Sequence, residues 1–356
     1  MDRLITWILI ALVILLILFS FLPDFKLSDI SKISEDVNSQ INSGKASVKN
    51  SYFSDNRHID SEAYFCPEDD CEGKLVELID SSKKSIYCAV YDIGLGEVSD
   101  SLISAKDKNI NVNIVTDYGE SAKKLSKVGV LKSAGIPVIT NPDNKSYMHN
   151  KFCVFDGKIV LVGSMNFTLN DVYKNNNNYL VIEDEDLADA FTEKINSFFS
   201  GEFSPEQNQD IEKQNIGNIE YYFCPEDNCE EQVLRKIKDL NSSIDCMFYS
   251  FTLDDVTDLL LDKNISKRFI FEESTIDDYS EYNRLVDAGI PAIKDKNPDN
   301  MHNKLCILDG NIVMTGSMNL SKNGTANNDE SLLFVHDHDL ARDYTNYFEK
   351  YWYLWK

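Results

Sequence analysis

Two histidine-lysine pairs carry the chemistry this chain offers first: His149 with Lys151 in "MHNKFCVFDGKIVLVGSMN", and His302 with Lys304 in "MHNKLCILDGNIVMTGSMN". The chain holds five histidines in 356 residues, so two of them at matching places in a repeated string are not drift. Each string reads as a hairpin turning at Asp156-Gly157 or at Asp309-Gly310-Asn311. On a strand, side chains two apart share a face, so each imidazole points with its lysine. Past the turn, Ser164 and Asn166, or Ser317 and Asn319, end the returning strand, where a bend brings them beside the ammonium. Such a group suits phosphate oxygens, with lysine as a point charge and asparagine as a fixed donor. A phosphodiester needs two unlike imidazoles, one neutral to attack phosphorus and one protonated to give its proton to the leaving alkoxide. Two half-sites meeting face to face supply both.

The elements that must position these residues are themselves repeated. "YFCPEDDCEGKLVELIDSSKKSIYCAVYDI" from Tyr64 recurs from Tyr222 as "YFCPEDNCEEQVLRKIKDLNSSIDCMFYSF", "AGIPVI" recurs as "AGIPAI", and "NPDN" occurs at Asn141 and Asn297. The order is the same in both copies, so the chain is a duplicated module rather than a solenoid. Within a copy, helical periodicity (Leu75, Leu78, Ile79) alternates with short β-rich runs such as "SIYCAVYDI", "INVNIVTD" and "IPVIT". That alternation predicts an α/β fold with a mixed or mainly parallel sheet covered on both faces.

At these residues the chain resembles the phospholipase D superfamily, whose signature is His-x-Lys, four residues, Asp, six residues, Gly-Ser-x-Asn. The copies match as His149, Lys151, Asp156, Gly163, Ser164, Asn166 and as His302, Lys304, Asp309, Gly316, Ser317, Asn319. The compact copies are most similar to the nuclease-like and mitochondrial cardiolipin-hydrolase-like branches. The resemblance implies two tandem α/β/α sandwich lobes, related by pseudo-two-fold symmetry, with the motifs at one interface. It also implies a phosphohistidine intermediate and no metal or other cofactor. His149 would be the nucleophile and His302 the acid, and Asp156 and Asp309 would hold the hairpins. The family places an acidic residue after Gly-Ser-x-Asn to hydrogen-bond the motif histidine. The second copy keeps it as Glu330, and the first has Asn177 there. A carboxylate favours the protonated ring, which, with Glu330 taken as the partner of His302, again makes His302 the acid.

Composition bounds the remainder. With 35 basic and 59 acidic side chains the formal charge is −24, which argues against a broad nucleic-acid-binding surface. The uncharged run Ile5 to Leu22 is long enough, as a helix, to cross a bilayer, and no small-x-small cleavage pattern follows it. The expected organisation is a membrane anchor over 1–23, a polar linker over 24–61, and lobes over 62–205 and 216–356. Cys66 and Cys71, with Cys224 and Cys229, precede helices at a spacing that fits disulfides or part of a zinc site. Cys88, Cys153, Cys246 and Cys306 lie in apolar runs and read as small buried hydrophobes. If the pairs are oxidised, the catalytic region is extracytoplasmic. Sequons at Asn144, Asn241 and Asn264 tolerate that side. His336 and His338 read as an exposed strand end rather than a metal site, and the aromatic C-terminus reads as a helix packed on the second lobe.

The expected activity is hydrolysis of a phosphodiester, with a phospholipid beside the bilayer as first substrate. A single-stranded DNA or RNA endonuclease is the alternative, and an inactive binding module is a third. No protein partner is legible.

Overall fold

The computed structural model describes residues 57–142, 145–208 and 214–356. The expected membrane segment Ile5 to Leu22, most of the linker and Asn144 lie outside the described residues. No helix among the described residues is long and apolar enough to cross a membrane.

The first lobe builds a seven-stranded sheet from β1 (Ser61–Cys66), β2 (Ser85–Val90), β3 (Asn111–Thr116), β4 (Val138–Thr140), β5 (Lys151–Phe155), β6 (Ile159–Gly163) and β7 (Asn177–Glu183), in the order β1-β7-β6-β5-β2-β3-β4. The second repeats it, with one added edge strand, from β8 (Asn215–Ile216), β9 (Ile219–Cys224), β10 (Ser243–Phe248), β11 (Ser266–Phe271), β12 (Ala292–Lys294), β13 (Lys304–Leu308), β14 (Ile312–Gly316) and β15 (Glu330–His336), in the order β12-β11-β10-β13-β14-β15-β9-β8. The sheets are mixed: β2, β3 and β4 run parallel, and the pairs from β2 through β5, β6 and β7 to β1 are antiparallel.

The principal helices are α1 (Cys71–Ser81), α2 (Gly96–Asp107), α3 (Glu185–Phe199), α4 (Cys229–Lys238), α5 (Asp254–Asp262) and α6 (His338–Trp355). Helix α1 starts because the Asp70 carboxylate accepts from the Gly73 N–H at 3.0 Å, and it buries Leu75, Leu78 and Ile79. With α2 it covers the outer face of the first sheet, while α4 and α5 cover that of the second.

The inner faces share one core. Helix α3 brings Phe191, Ile195 and Phe198 to it, and α6 brings Tyr344, Phe348 and Trp352. Each helix also reaches the other lobe: Phe191 packs on Phe223 with ring centroids 5.0 Å apart, and Tyr347 stacks on Phe65 at 4.3 Å. The C-terminal aromatic helix is therefore part of the seam between lobes and not only a cover for the second. Both lobes lie within one compact unit, Asn56–Lys356.

The cysteines are all paired. Cys66–Cys71 and Cys224–Cys229 form the disulfides foreseen as one option, which removes those four thiols as zinc ligands. Cys88–Cys153 and Cys246–Cys306 are also disulfides, a correction to their reading as isolated buried hydrophobes. The cause is strand register: β2 pairs with β5 so that Cys88 faces Cys153, and β10 with β13 so that Cys246 faces Cys306, with Cα atoms 4.1 Å apart in both. The Cys88–Cys153 bond closes a loop of 65 residues. Replacing both by alanine is expected to lower the unfolding free energy by about 4 kcal/mol, read from guanidinium titration.

His336 and His338 do not share a strand face. His336 ends β15 and meets Glu220 at 2.7 Å, whereas His338 opens α6 behind the Asp337 cap. No metal-binding group of three or more His, Cys, Asp or Glu occurs among the described residues.

Candidate active site

Both motif hairpins turn over three residues, 156–158 and 309–311. Asp156 and Gly157 have φ of 56° and 65°, Asp309 and Gly310 of 51° and 63°, so the first two positions of each turn are left-handed. The aspartates do more than turn. Asp156 accepts from the backbone N–H of Lys83, Lys84 and Ser85, and Asp309 from Asn241, Ser242 and Ser243, tying each hairpin to the start of the neighbouring strand. Burial pulls both carboxyls upward, but these donors outweigh it and leave their pKa values lowered. At the other end, Gly163 is required because a Cβ there would sit 2.2 Å from the Asn178 carbonyl oxygen. Gly316 meets Ser331 in the same way.

The lobes exchange backbone hydrogen bonds where the histidines stand. The His149 N–H donates to the Asp329 carbonyl at 2.9 Å, and the His302 N–H to the Asn176 carbonyl at 2.9 Å. This crossing decides the ring partners. His149 Nδ1 lies 2.8 Å from the Glu330 carboxylate, and His302 Nδ1 lies 2.9 Å from Asn177 Oδ1. Glu330 thus faces the histidine of the other lobe, which corrects the expectation that it serves His302. The serines belong to the same network. Ser317 Oγ donates to Glu330 at 2.6 Å and Ser164 Oγ to Asn177 Oδ1 at 2.9 Å, so their hydroxyls orient the histidine partners instead of standing beside the lysines as phosphate donors.

Each lysine folds back on its own histidine, Lys151 Nζ to the His149 carbonyl at 2.7 Å and Lys304 Nζ to the His302 carbonyl at 2.8 Å. Each ammonium also lies 5.1 Å from the ring centroid of a tyrosine, Tyr91 or Tyr249, and that ring packs edge-on against the histidine at 4.9 Å. These tyrosines were not singled out in the sequence, although they occupy matching places in "CAVYDI" and "CMFYSF". Asp117 and Glu272, which accept from the N–H groups of Met148 and Met301, were missed too. Asn166 and Asn319, at the ends of the motif hairpins, each have a buried Oδ1 without a hydrogen-bond partner.

Only ring edges remain open: each histidine side chain is 12% exposed, while Lys151 and Lys304 are 1% exposed as residues. Burial, reinforced by Lys151 and Lys304, holds the pKa of His149 well below 6.5, and burial with the same two ammoniums does so for His302. Both lysines therefore act on both rings. Burial also lowers Lys151 to about 8 and Lys304 well below 10.5, and it lifts Glu330 to about 8 against the pull of Lys151 and its hydrogen-bond donors. The charge of a bound anionic diester offsets the two ammoniums and favours proton uptake by one ring, so two imidazoles and two poorly solvated ammoniums sharing one seam form a receptor for a compact anion that a neutral ring attacks and a protonated ring protonates.

The family described as "Cardiolipin synthase, PLD-like domain" matches residues 75–199 and 233–352. Mitochondrial cardiolipin hydrolase of Xenopus tropicalis is 27% identical over 143 residues, 39% of this chain and 67% of that protein. Phospholipase D of Rickettsia bellii is 33% identical over 127 residues, 36% of this chain and 63% of that protein, so part of its length lies outside the match. Among solved structures, phosphatidylserine synthase of Haemophilus influenzae superposes with a TM-score of 0.62 at 14% identity, covering 78% of this chain and 82% of that one. That last likeness concerns the fold.

Proposed function

We propose, from the premise that this chain belongs to the family described as cardiolipin synthase, PLD-like domain, that it is a phosphodiester hydrolase working through a phosphohistidine. The observation that carries the reading is the seam where both motif rings and both ammoniums interact. Lys151 and Lys304 hold the non-bridging oxygens of the diester. His149 Nε2 attacks phosphorus as the bond to the leaving oxygen breaks, and His302 Nε2 gives that oxygen its proton. His302 then takes a proton from water, which attacks the phosphorus and releases His149. The crossed partners support these roles: phosphorylation makes His149 cationic, which Glu330 stabilises, while His302, held by an amide, gives up its proton more readily.

The favoured substrate is a phospholipid. Tyr147 packs on Tyr91 at 5.7 Å, one ring away from His149, and is 43% exposed. In the same lobe Tyr118, Leu125 and Leu169 are 49%, 80% and 62% exposed, and Leu125 follows exposed Lys123 and Lys124 in sequence. Exposed apolar side chains with lysines beside them suit the interface of an anionic bilayer. The apolar run Ile5 to Leu22 supports a single-pass anchor, and four disulfides support an extracytoplasmic catalytic region.

The test is an assay of the purified chain in chelator on a p-nitrophenyl phosphodiester, on vesicles containing cardiolipin or phosphatidylglycerol, and on single-stranded DNA and RNA. Cleavage of the chromogenic diester and of lipid is expected. Cleavage of nucleic acid without lipid would remove the lipid reading, and no turnover at all would leave a binding module.

A further inference from the structure

The two lobes hold a carboxylate near the opposite histidine by different means. In the second lobe Glu330 on β15 does it, and the residue aligned with Asp171 is Gly324. In the first, Asn177 replaces the acid, and Asp171 in the short helix Leu169–Tyr173 supplies a carboxylate instead. Asp171 Oδ1 accepts from Asn177 Nδ2 at 2.9 Å and lies 3.4 Å from His302 Nδ1. Asn177 Nδ2 also donates to the Asp171 carbonyl at 3.0 Å. With both donors turned to Asp171, Asn177 presents Oδ1 to His302 Nδ1 at 2.9 Å, so that nitrogen carries the proton.

Asp171 has a local role as well, since its Oδ2 accepts from Thr168 Oγ1 at 2.8 Å while its N–H donates back at 3.2 Å. That cap does not need an acid. In the second lobe the Gly324 N–H donates to Ser321 Oγ at the same 3.2 Å, and the helix forms without a side chain there. The carboxylate of Asp171, 5% exposed, is accounted for by what lies on its other side.

We propose that Asp171 is a positioning residue for His302, acting through the Asn177 amide: it polarises that amide, fixes Nδ1–H, and stabilises the imidazolium from which the leaving oxygen takes its proton. An amide bonded to a carboxylate is a stronger acceptor than a free one, so His302 holds a proton more firmly than a lone asparagine would allow. It remains a better acid than a ring facing a carboxylate directly. This rests on the reading of His302 as the general acid.

The experiment compares single-turnover cleavage of two diesters that differ in leaving group, an alkyl alcohol that needs a proton and p-nitrophenol that does not. Asp171→Asn is expected to slow the alkyl diester about 10- to 100-fold while sparing the p-nitrophenyl diester. Asp171→Gly should lose the same step, and adding Asn177→Glu, which transplants the second lobe's arrangement, should restore it in part, since a ring facing a carboxylate directly is the poorer acid. Equal loss on both diesters, no loss on either, or failure of the transplant to rescue would overturn the proposal. His302→Ala is the reference. If it shows the leaving-group dependence and Asp171→Asn does not, the relay is wrong while the acid stands. If His302→Ala slows both diesters equally, the acid assignment falls and the relay falls with it.

Discussion

Replacing His149 with alanine is expected to abolish turnover, by about 10⁴-fold or more, on every diester, because in the proposed mechanism it removes the atom that bonds to phosphorus. His302→Ala behaves differently. With a p-nitrophenyl diester its first step needs no acid, but the second lacks a base to take the proton from water, so the phosphoenzyme accumulates on His149. Acid-labile phosphate located by mass spectrometry in rapidly quenched His302→Ala protein is the expected result, with none in His149→Ala. Phosphate on His302 in the His149→Ala protein would reverse the two roles. The seam geometry makes the experiment informative, since both rings have equal 12% exposure and their partners tell them apart, Glu330 at His149 and Asn177 backed by Asp171 at His302.

Much of this site is local in sequence and was legible there. The pairing of His149 with Lys151 follows from strand alternation, and the Asp156-Gly157 turn from its preference for left-handed backbone. The duplicated order of elements made two lobes the economical reading. What escaped depends on how separate segments register. Cys88 meets Cys153 only because β2 and β5 are adjacent and aligned, a pairing across 65 residues that apolar runs do not announce. The exchange of Glu330 to His149 depends on a backbone bridge between Met148 and Asp329, in different lobes. Within one repeat, motif spacing pairs Glu330 with its own histidine, and the fold sends it to the other. Asp171 escaped for a related reason: its counterpart is Gly324, so comparing the repeats at motif positions alone shows an acid lost at Asn177 and not the one gained beside it.

The second large effect concerns Glu330. When ionised it accepts the Nδ1 proton of His149, along with bonds from Ser317 and Asn328, and leaves Nε2 with a lone pair for phosphorus. When protonated it donates to Nδ1, and the ring proton moves to Nε2, where attack is blocked. Glu330 is lifted to about 8 by burial, so kcat/KM should rise with pH through that value. Lys151, lowered by burial to about 8, must keep its charge to hold the diester, so the rate should fall above it. With a p-nitrophenyl diester, whose departure needs no proton from His302, the expected profile is a narrow bell centred near pH 8. Glu330→Gln removes the acid limb and lowers the optimum rate by about 10³-fold, because its NH₂ must either donate to His149 Nδ1, enforcing the wrong tautomer, or face the Ser317 hydroxyl. Stability should move the opposite way. A carboxyl whose pKa is raised from 4.5 to about 8 on folding contributes its full stability below 4.5 and loses it as pH climbs to about 8. Above that range Glu330→Gln should therefore melt higher than the parent while turning over far more slowly. A variant that loses rate and melting temperature together, or keeps the acid limb, would mean that Glu330 is a packing residue and that another group sets the tautomer of His149.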